Sequence, residues 1–182
     1  MNICQKFFGH LKTVNKHRRE VRKLCFKCGL YWQGLTHDLS KYSPTEFING
    51  VRFFTGTKSP HSGEREKYGY SKAWLHHKAH NKHHREYWFD RKGDKTIPVE
   101  MPVEYLVEMI CDRVAACKIY MKDNYTTSAP LSYYVNNMDI NSFHPQTRAA
   151  IELYLRYLIY YGEAETMKTL KELVLSTKQK TK

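Results

Sequence analysis

Apolar residues recur along this chain at helical rather than strand spacing. His10, Val14, His17, Val21 and Leu24 step by four and three, which puts them on one stripe of a helix expected over about residues 4–28 and closed by Gly29. A second helix is expected over about 30–41. Ser43-Pro44-Thr45-Glu46 has the form of a helix start, with Ser as cap, Pro in the first turn and Glu three residues after the cap. That helix should reach about Phe54. Residues 55–70 hold Gly56, Pro60, Gly63 and Gly69 among polar residues and read as a loop. Ser71 is placed to cap a helix over 72 to about 89. Gly93, Pro98 and Pro102 mark the next loop, and a long helix follows over about 102–122. A looser stretch near Ser128–Phe143 precedes two segments, 145–161 and 163–176, which read as a closing helical pair around Gly162. Short runs rich in strand formers are missing. The pattern therefore predicts an all-α chain of six to eight helices, one domain over 1–182, with its core in about 4–122 and the closing pair in about 145–176.

Composition narrows the class. A length of 182 residues suits one domain with one substantial core. No run approaches the roughly 20 apolar residues that span a bilayer, so no membrane span is expected. The opening Met-Asn-Ile-Cys-Gln-Lys-Phe-Phe lacks a basic region, a long apolar run and a small-residue cleavage site, and reads as mature sequence. The five cysteines, at 4, 25, 28, 111 and 117, are an odd number. Cys25 and Cys28 have C-x-x-C spacing, but no second pair completes a zinc ribbon, and the helical context favours small buried thiols. Reduced cysteines without an export signal point to a cytoplasmic protein.

The formal charge is +12, and residues 1–30 carry eight Lys/Arg against the single acid Glu20. Such a balance favours polyanionic or phosphorylated partners, with a solvated basic face as the plainer alternative.

Histidine supplies the sharpest signal. Five of the ten fall between residues 76 and 84. On one helix His76, His80 and His83 would share a face, and His77, His80 and His84 an adjoining one. Imidazole is a common transition-metal ligand, and Trp74, Leu75, Tyr87 and Trp88 would hold part of this row against the core rather than in solvent. His37-Asp38 pairs an imidazole with a carboxylate that could bridge two ions. Glu104, Glu108 and Asp112 step by four along one helical edge. Asp112 lies in Met109-Ile110-Cys111-Asp112-Arg113-Val114-Ala115-Ala116, an apolar stretch where a carboxylate needs a cation or donors.

The order His, then His-Asp, then Asp on successive helices resembles the HD superfamily of metal-dependent phosphohydrolases. His17-Arg18-Arg19-Glu20-Val21 resembles that family's first-ligand helix. Leu35-Thr36-His37-Asp38-Leu39-Ser40-Lys41 is similar to its L-x-H-D-x-G-K segment, with Ser40 in place of Gly. Cys111-Asp112-Arg113-Val114-Ala115 is similar to its late A-D-R-hydrophobic-A motif. His83-His84, with Glu86 nearby, resembles the paired histidines of the two-metal cyclic-dinucleotide branch. The Gly-Tyr-Pro motif of that branch is absent, however, and no Glu-Asp pair of the alarmone-hydrolase kind follows His37-Asp38. The likeness covers about residues 14–120. The chain also resembles a bacterial and phage family sharing H-D-L-S-K and N-K-H-H-x-E-Y-W blocks, which brings no activity with it.

The HD resemblance implies a helical metallohydrolase acting on a nucleotide or other phosphate ester through metal-activated water. His17, His37, Asp38 and Asp112 would hold one divalent ion. His77 or His76, with His83 and His84, would complete a second site; Mn, Fe, Zn, Ni or Co all suit such donors. Asp38 and Lys41 would be the catalytic residues, with Lys41 meeting phosphate as a point charge and Arg18, Arg19 and Lys82 as further phosphate contacts. Two other readings stand beside it. One is an HD-type di-iron oxygenase on a small organic substrate. The other is a non-catalytic nucleic-acid binder using the basic N-terminal helix with Tyr31 and Trp32.

Overall fold

A computed structural model describes residues 1–139 and 142–180, and eight α-helices carry the described residues. Helix α1 (Ile3–Lys27) starts with a capping box between Asn2 and Gln5. Its expected stripe is the buried one, extended by Cys25. Helix α6 (Val103–Met121) lies against it and contributes Leu106, Val107, Ile110, Cys111, Val114 and Ala115 to the core. The last helix, α8 (Pro145–Lys180), closes that core with Ile151, Leu155, Leu158, Met167 and Leu170. Gly162, at φ 75° and ψ 176°, breaks α8 into the two expected segments, because only glycine adopts that backbone cheaply. Among the described residues no helix is long and apolar enough to cross a membrane.

The structure departs from the sequence-based expectation in five places. Helix α2 (Tyr31–Thr36) stops at His37, Asp38 takes the left-handed conformation at φ 53°, and Leu39–Tyr42 form a 3-10 turn rather than continued helix. Helix α3 (Pro44–Arg52) begins as expected, with the Ser43 side chain accepting from the Glu46 amide. The expected loop over 55–70 instead contains helix α4 (Pro60–Tyr68). The glycines that suggested a loop have helical duties there. Gly69, at φ 77°, is its left-handed cap, and Gly63 lets α4 approach Phe53, where a Cβ would come within 3.2 Å of the ring.

Helix α5 (Lys72–His80) is shorter than expected: the Asn81 side chain folds back to donate to the His77 carbonyl, and the chain turns. A small antiparallel hairpin follows, Phe89–Lys92 with Lys95–Pro98, joined through Gly93 at φ 60°. Its strands are mostly exposed and polar, so no apolar alternation announces them. The stretch before α8 also holds a helix, α7 (Ala129–Asn137), anchored by the buried Tyr134.

Candidate metal centre

The centre is built where α1, α5 and α6 meet the two breaks at 37–38 and 81–84. Adjacent residues on a helix diverge by about 100°, so neither His37-Asp38 nor His83-His84 could face one point from within a helix. The breaks remove that obstacle. Arg18 holds the first one: its Nε donates to the His37 carbonyl at 2.7 Å and its terminal nitrogen to the Leu35 carbonyl at 3.0 Å.

His17 Nε2, His37 Nε2, one Asp38 oxygen and one Asp112 oxygen then converge, although 95 positions separate His17 from Asp112. His17 Nε2 lies 2.9 Å from Asp112 Oδ1 and 3.6 Å from Asp38 Oδ2. His37 Nε2 lies 3.3 Å from Asp38 Oδ2, 3.6 Å from Asp112 Oδ1 and 3.4 Å from His17 Nε2. Four donors around a zinc-sized ion, each about 2.1 Å from it, stand roughly 3.4 Å apart. The spacing fits.

The other oxygen of Asp38 belongs to a second group. Asp38 Oδ1 lies 3.3 Å from His77 Nε2 and 3.6 Å from His83 Nε2, and His84 completes the set. Asp38 Oδ1, His83 Nε2 and His84 Nε2 are all buried without a hydrogen-bond partner among the described residues. Buried polar atoms seldom go unsatisfied, and three orphans in one cluster of lone pairs suit a cation. Asp38 is thus shared, one oxygen to each group.

Carboxylates behind the imidazoles orient them. Glu46 Oε2 lies 2.7 Å from His77 Nδ1. Glu108 Oε1 lies 2.8 Å from His37 Nδ1 and 3.2 Å from His83 Nδ1. Each contact places a proton on Nδ1 and leaves the Nε2 lone pair for the centre, the usual support of metal-bound histidine. Neither Glu46 nor Glu108 stood out as a site residue in the sequence; Glu108 carried a signal, one turn before Asp112.

Electrostatics follow from this crowding. Burial opposes ionisation of Asp38, yet His37, Lys41 and His77 hold its carboxyl well below the usual range. Burial likewise opposes ionisation of Asp112, outweighed by hydrogen bonds from His17 and His37. Burial works against a proton on His37 too, but Asp38, Asp112 and Glu108 raise it well above the ordinary histidine value. A proton there stands in for a cation. Burial pushes His84 well down, with His83 and His77 adding to it, so its lone pair is free at neutral pH.

The remaining expected residues separate clearly. His76 is not among the converging donors; its Nδ1 meets Glu46 Oε1 at 2.7 Å and its ring stacks on His80. Lys41 lines the cavity beside the centre, with Nζ 2.6 Å from Asp38 Oδ2. Arg18 and Arg19 line a separate groove with Arg22 and Tyr42. Lys82 is exposed, its ammonium 5.6 Å from the ring centres of Tyr87 and Tyr105. Neither Arg18 nor Lys82 lines the cavity, which is lined instead by Lys58, Arg65, Arg85 and Arg113.

His61, hidden in the supposed loop, also lines it. Ser71 gives its hydroxyl proton to the buried Glu64 at 2.6 Å, so its oxygen accepts from His61 Nδ1 at 3.3 Å and from the Trp74 amide. His61 therefore carries its proton on Nδ1 and leaves Nε2 as an acceptor. Burial first, and then Lys41, push its pKa down to about 3, so it is neutral at pH 7.

No curated protein and no solved structure matches the chain. A family model does match, over residues 6–157, a span that holds every donor from His17 to Asp112, and the chain thereby belongs to DUF5662, a family of unknown function.

Proposed function

We propose that this chain is a metal-dependent phosphohydrolase of the HD type, cleaving a nucleotide or other phosphate ester with water at a paired metal centre. The observation that carries the reading is Asp38. Its two oxygens face two separate sets of imidazole nitrogens, and three buried atoms there have no hydrogen-bond partner among the described residues. His17, His37, Asp38 and Asp112 would hold one ion, and His77, His83, His84 and Asp38 the other. A divalent ion in such a place lowers the pKa of water and draws charge from phosphoryl oxygens.

The chain's own residues supply the rest. Glu46 and Glu108 fix the imidazole tautomers. Lys41 places a positive charge at the cavity wall, against Asp38 and within the space a phosphoryl group would enter. His61 lines the same cavity as a neutral imidazole, its Nδ1 proton tied to Ser71 and its Nε2 left as a hydrogen-bond acceptor.

The test is protein purified without chelators, assayed for bound metal and then screened with added metal against nucleotides, cyclic nucleotides, dinucleotides and model phosphodiesters. Metal-dependent release of phosphate or of the alcohol is the expected result. Consumption of dioxygen with an organic substrate and no phosphoryl cleavage would move the chain to the di-iron oxygenase class. Nucleic-acid binding without turnover would make it a binding protein.

A further inference from the structure

We propose that the cavity beside the metal centre takes a ligand with at least two phosphoryl groups, the second held by Arg85 and Arg113. Placing the first at the centre rests on the phosphohydrolase reading; the two arginines stand on observations of their own.

Arg85 directly follows His84 and lines the cavity. Its Nε is buried and has no hydrogen-bond acceptor among the described residues. The carboxylate it pairs with is Glu86, at 3.9 Å, beyond hydrogen-bond reach. The guanidinium lies instead over the Phe143 ring, 5.3 Å from its centre. Arg113 directly follows Asp112 and has the same character. Its guanidinium lies 4.8 Å from the centre of the Tyr133 ring and reaches the Met138 sulfur at 3.3 Å, and among the described residues no carboxylate forms an ion pair with it. Aromatic faces fix the direction of a guanidinium without neutralising it, which leaves the planar fork free for an oxyanion.

Glu86 also lines the cavity, 3.9 Å from Arg85 Nε, and the other carboxylates there are engaged away from the arginines. Asp38 and Asp112 face the imidazoles of the centre, and Glu46 faces His76 and His77. Lys58 and Arg65 line the same space. A monoanionic phosphodiester would answer only one part of this positive wall. A compound with a second phosphoryl group would match both the centre and the arginines. The cavity, about 520 Å³, lies within the range of small-molecule sites.

Calorimetric titration of the full chain with orthophosphate and with pyrophosphate tests this, on metal-loaded, desalted protein and on metal-free protein in parallel. Pyrophosphate should bind at least tenfold more tightly than orthophosphate. Arg85→Gln and Arg113→Gln should each lose most of that preference while retaining orthophosphate affinity and metal content. Arg85→Lys and Arg113→Lys, which keep charge without the fork, should fall between. Equal affinity of the wild-type chain for the two anions overturns the proposal, as does an undiminished preference in folded glutamine variants. Metal content after each titration reveals extraction by pyrophosphate, in which case the metal-free arm decides. A pyrophosphate preference without metal-dependent hydrolysis keeps the arginine site and removes the phosphohydrolase reading. Hydrolysis of simple esters with equal affinity for the two anions does the reverse.

Discussion

Glu108 Oε1 sits 2.8 Å from His37 Nδ1, one helical turn before Asp112 on α6. The same oxygen lies 3.2 Å from His83 Nδ1, so one carboxylate sets the tautomer of an imidazole in each donor group. Burial opposes its ionisation, but hydrogen bonds from His37 and His83 hold its carboxyl below the usual value.

Glu108→Gln should therefore weaken metal binding by about 10–100-fold without removing a ligand. Glu104→Gln, one turn earlier on the same edge, should leave affinity unchanged. Titration of metal-free protein with Zn or Mn reads both. Equal affinities for the two variants would show that Glu108 is only a packing residue.

His76 and His77 were alternatives in the sequence, and the geometry divides them. His77 Nε2 faces Asp38 Oδ1, whereas His76 stacks on His80. His77→Ala should cost one metal equivalent per chain by elemental analysis, and His76→Ala none. Loss of an ion from His76→Ala alone would reverse the assignment.

The outline of the fold was legible because α1, α6 and α8 bury stripes at helical period. The breaks were not. Helical spacing placed His83 beside His76 and His80, but the chain leaves the helix at Asn81, and the pair that converges with His77 comes from a turn. Nothing in the local pattern announces that turn, since Asn81 ends α5 by a hydrogen bond to the His77 carbonyl that depends on where its side chain is pressed. His61 was lost for a related reason. Pro60, Gly63 and Gly69 signal a loop when read singly, but as first-turn proline, close-approach glycine and cap they delimit a helix. Motif order picked out the donors that converge, while the supporting Glu46 and the cationic wall depended on tertiary packing.

His10 provides a test of stability against pH, away from the metal donors. Burial first, and then Lys41, push its pKa from 6.5 to about 4, and Phe47 and Phe54 pack against its ring. Above pH 6.5 neither the folded nor the unfolded chain protonates it. Between about 6.5 and 4 the unfolded chain gains a proton that the folded one does not, so this contribution is lost as the pH falls through that window. The share is on the order of 2–3 kcal/mol. Urea midpoints should fall more steeply from pH 7 to pH 4 for the wild type than for His10→Gln. Parallel curves would show that His10 titrates normally in the folded state.

The sharpest prediction separates Asp38 from its neighbour Lys41. Asp38 is left-handed at φ 53°, a conformation that Asn tolerates and most other residues do not, so Asp38→Asn is the variant that preserves the turn. It retains one oxygen but loses the negative charge shared between the two donor groups. Metal should fall at both, and turnover by at least about a hundredfold. Lys41→Ala removes a positive charge 2.6 Å from the same carboxylate. Its loss should leave metal content intact, or tighten binding, because it frees Asp38 from a competing cation. Its effect should appear in the handling of the phosphate-bearing substrate, as a raised KM or lowered kcat. The pair also distinguishes the rival functions. An oxygenase would lose activity with Asp38→Asn, but its activity would require dioxygen. A nucleic-acid binder would keep its affinity, since removing an acid does not weaken contacts with phosphates. A folded Asp38→Asn protein with full metal content and undiminished hydrolysis would refute the assignment, because among the described residues no other contributes a donor oxygen to both groups.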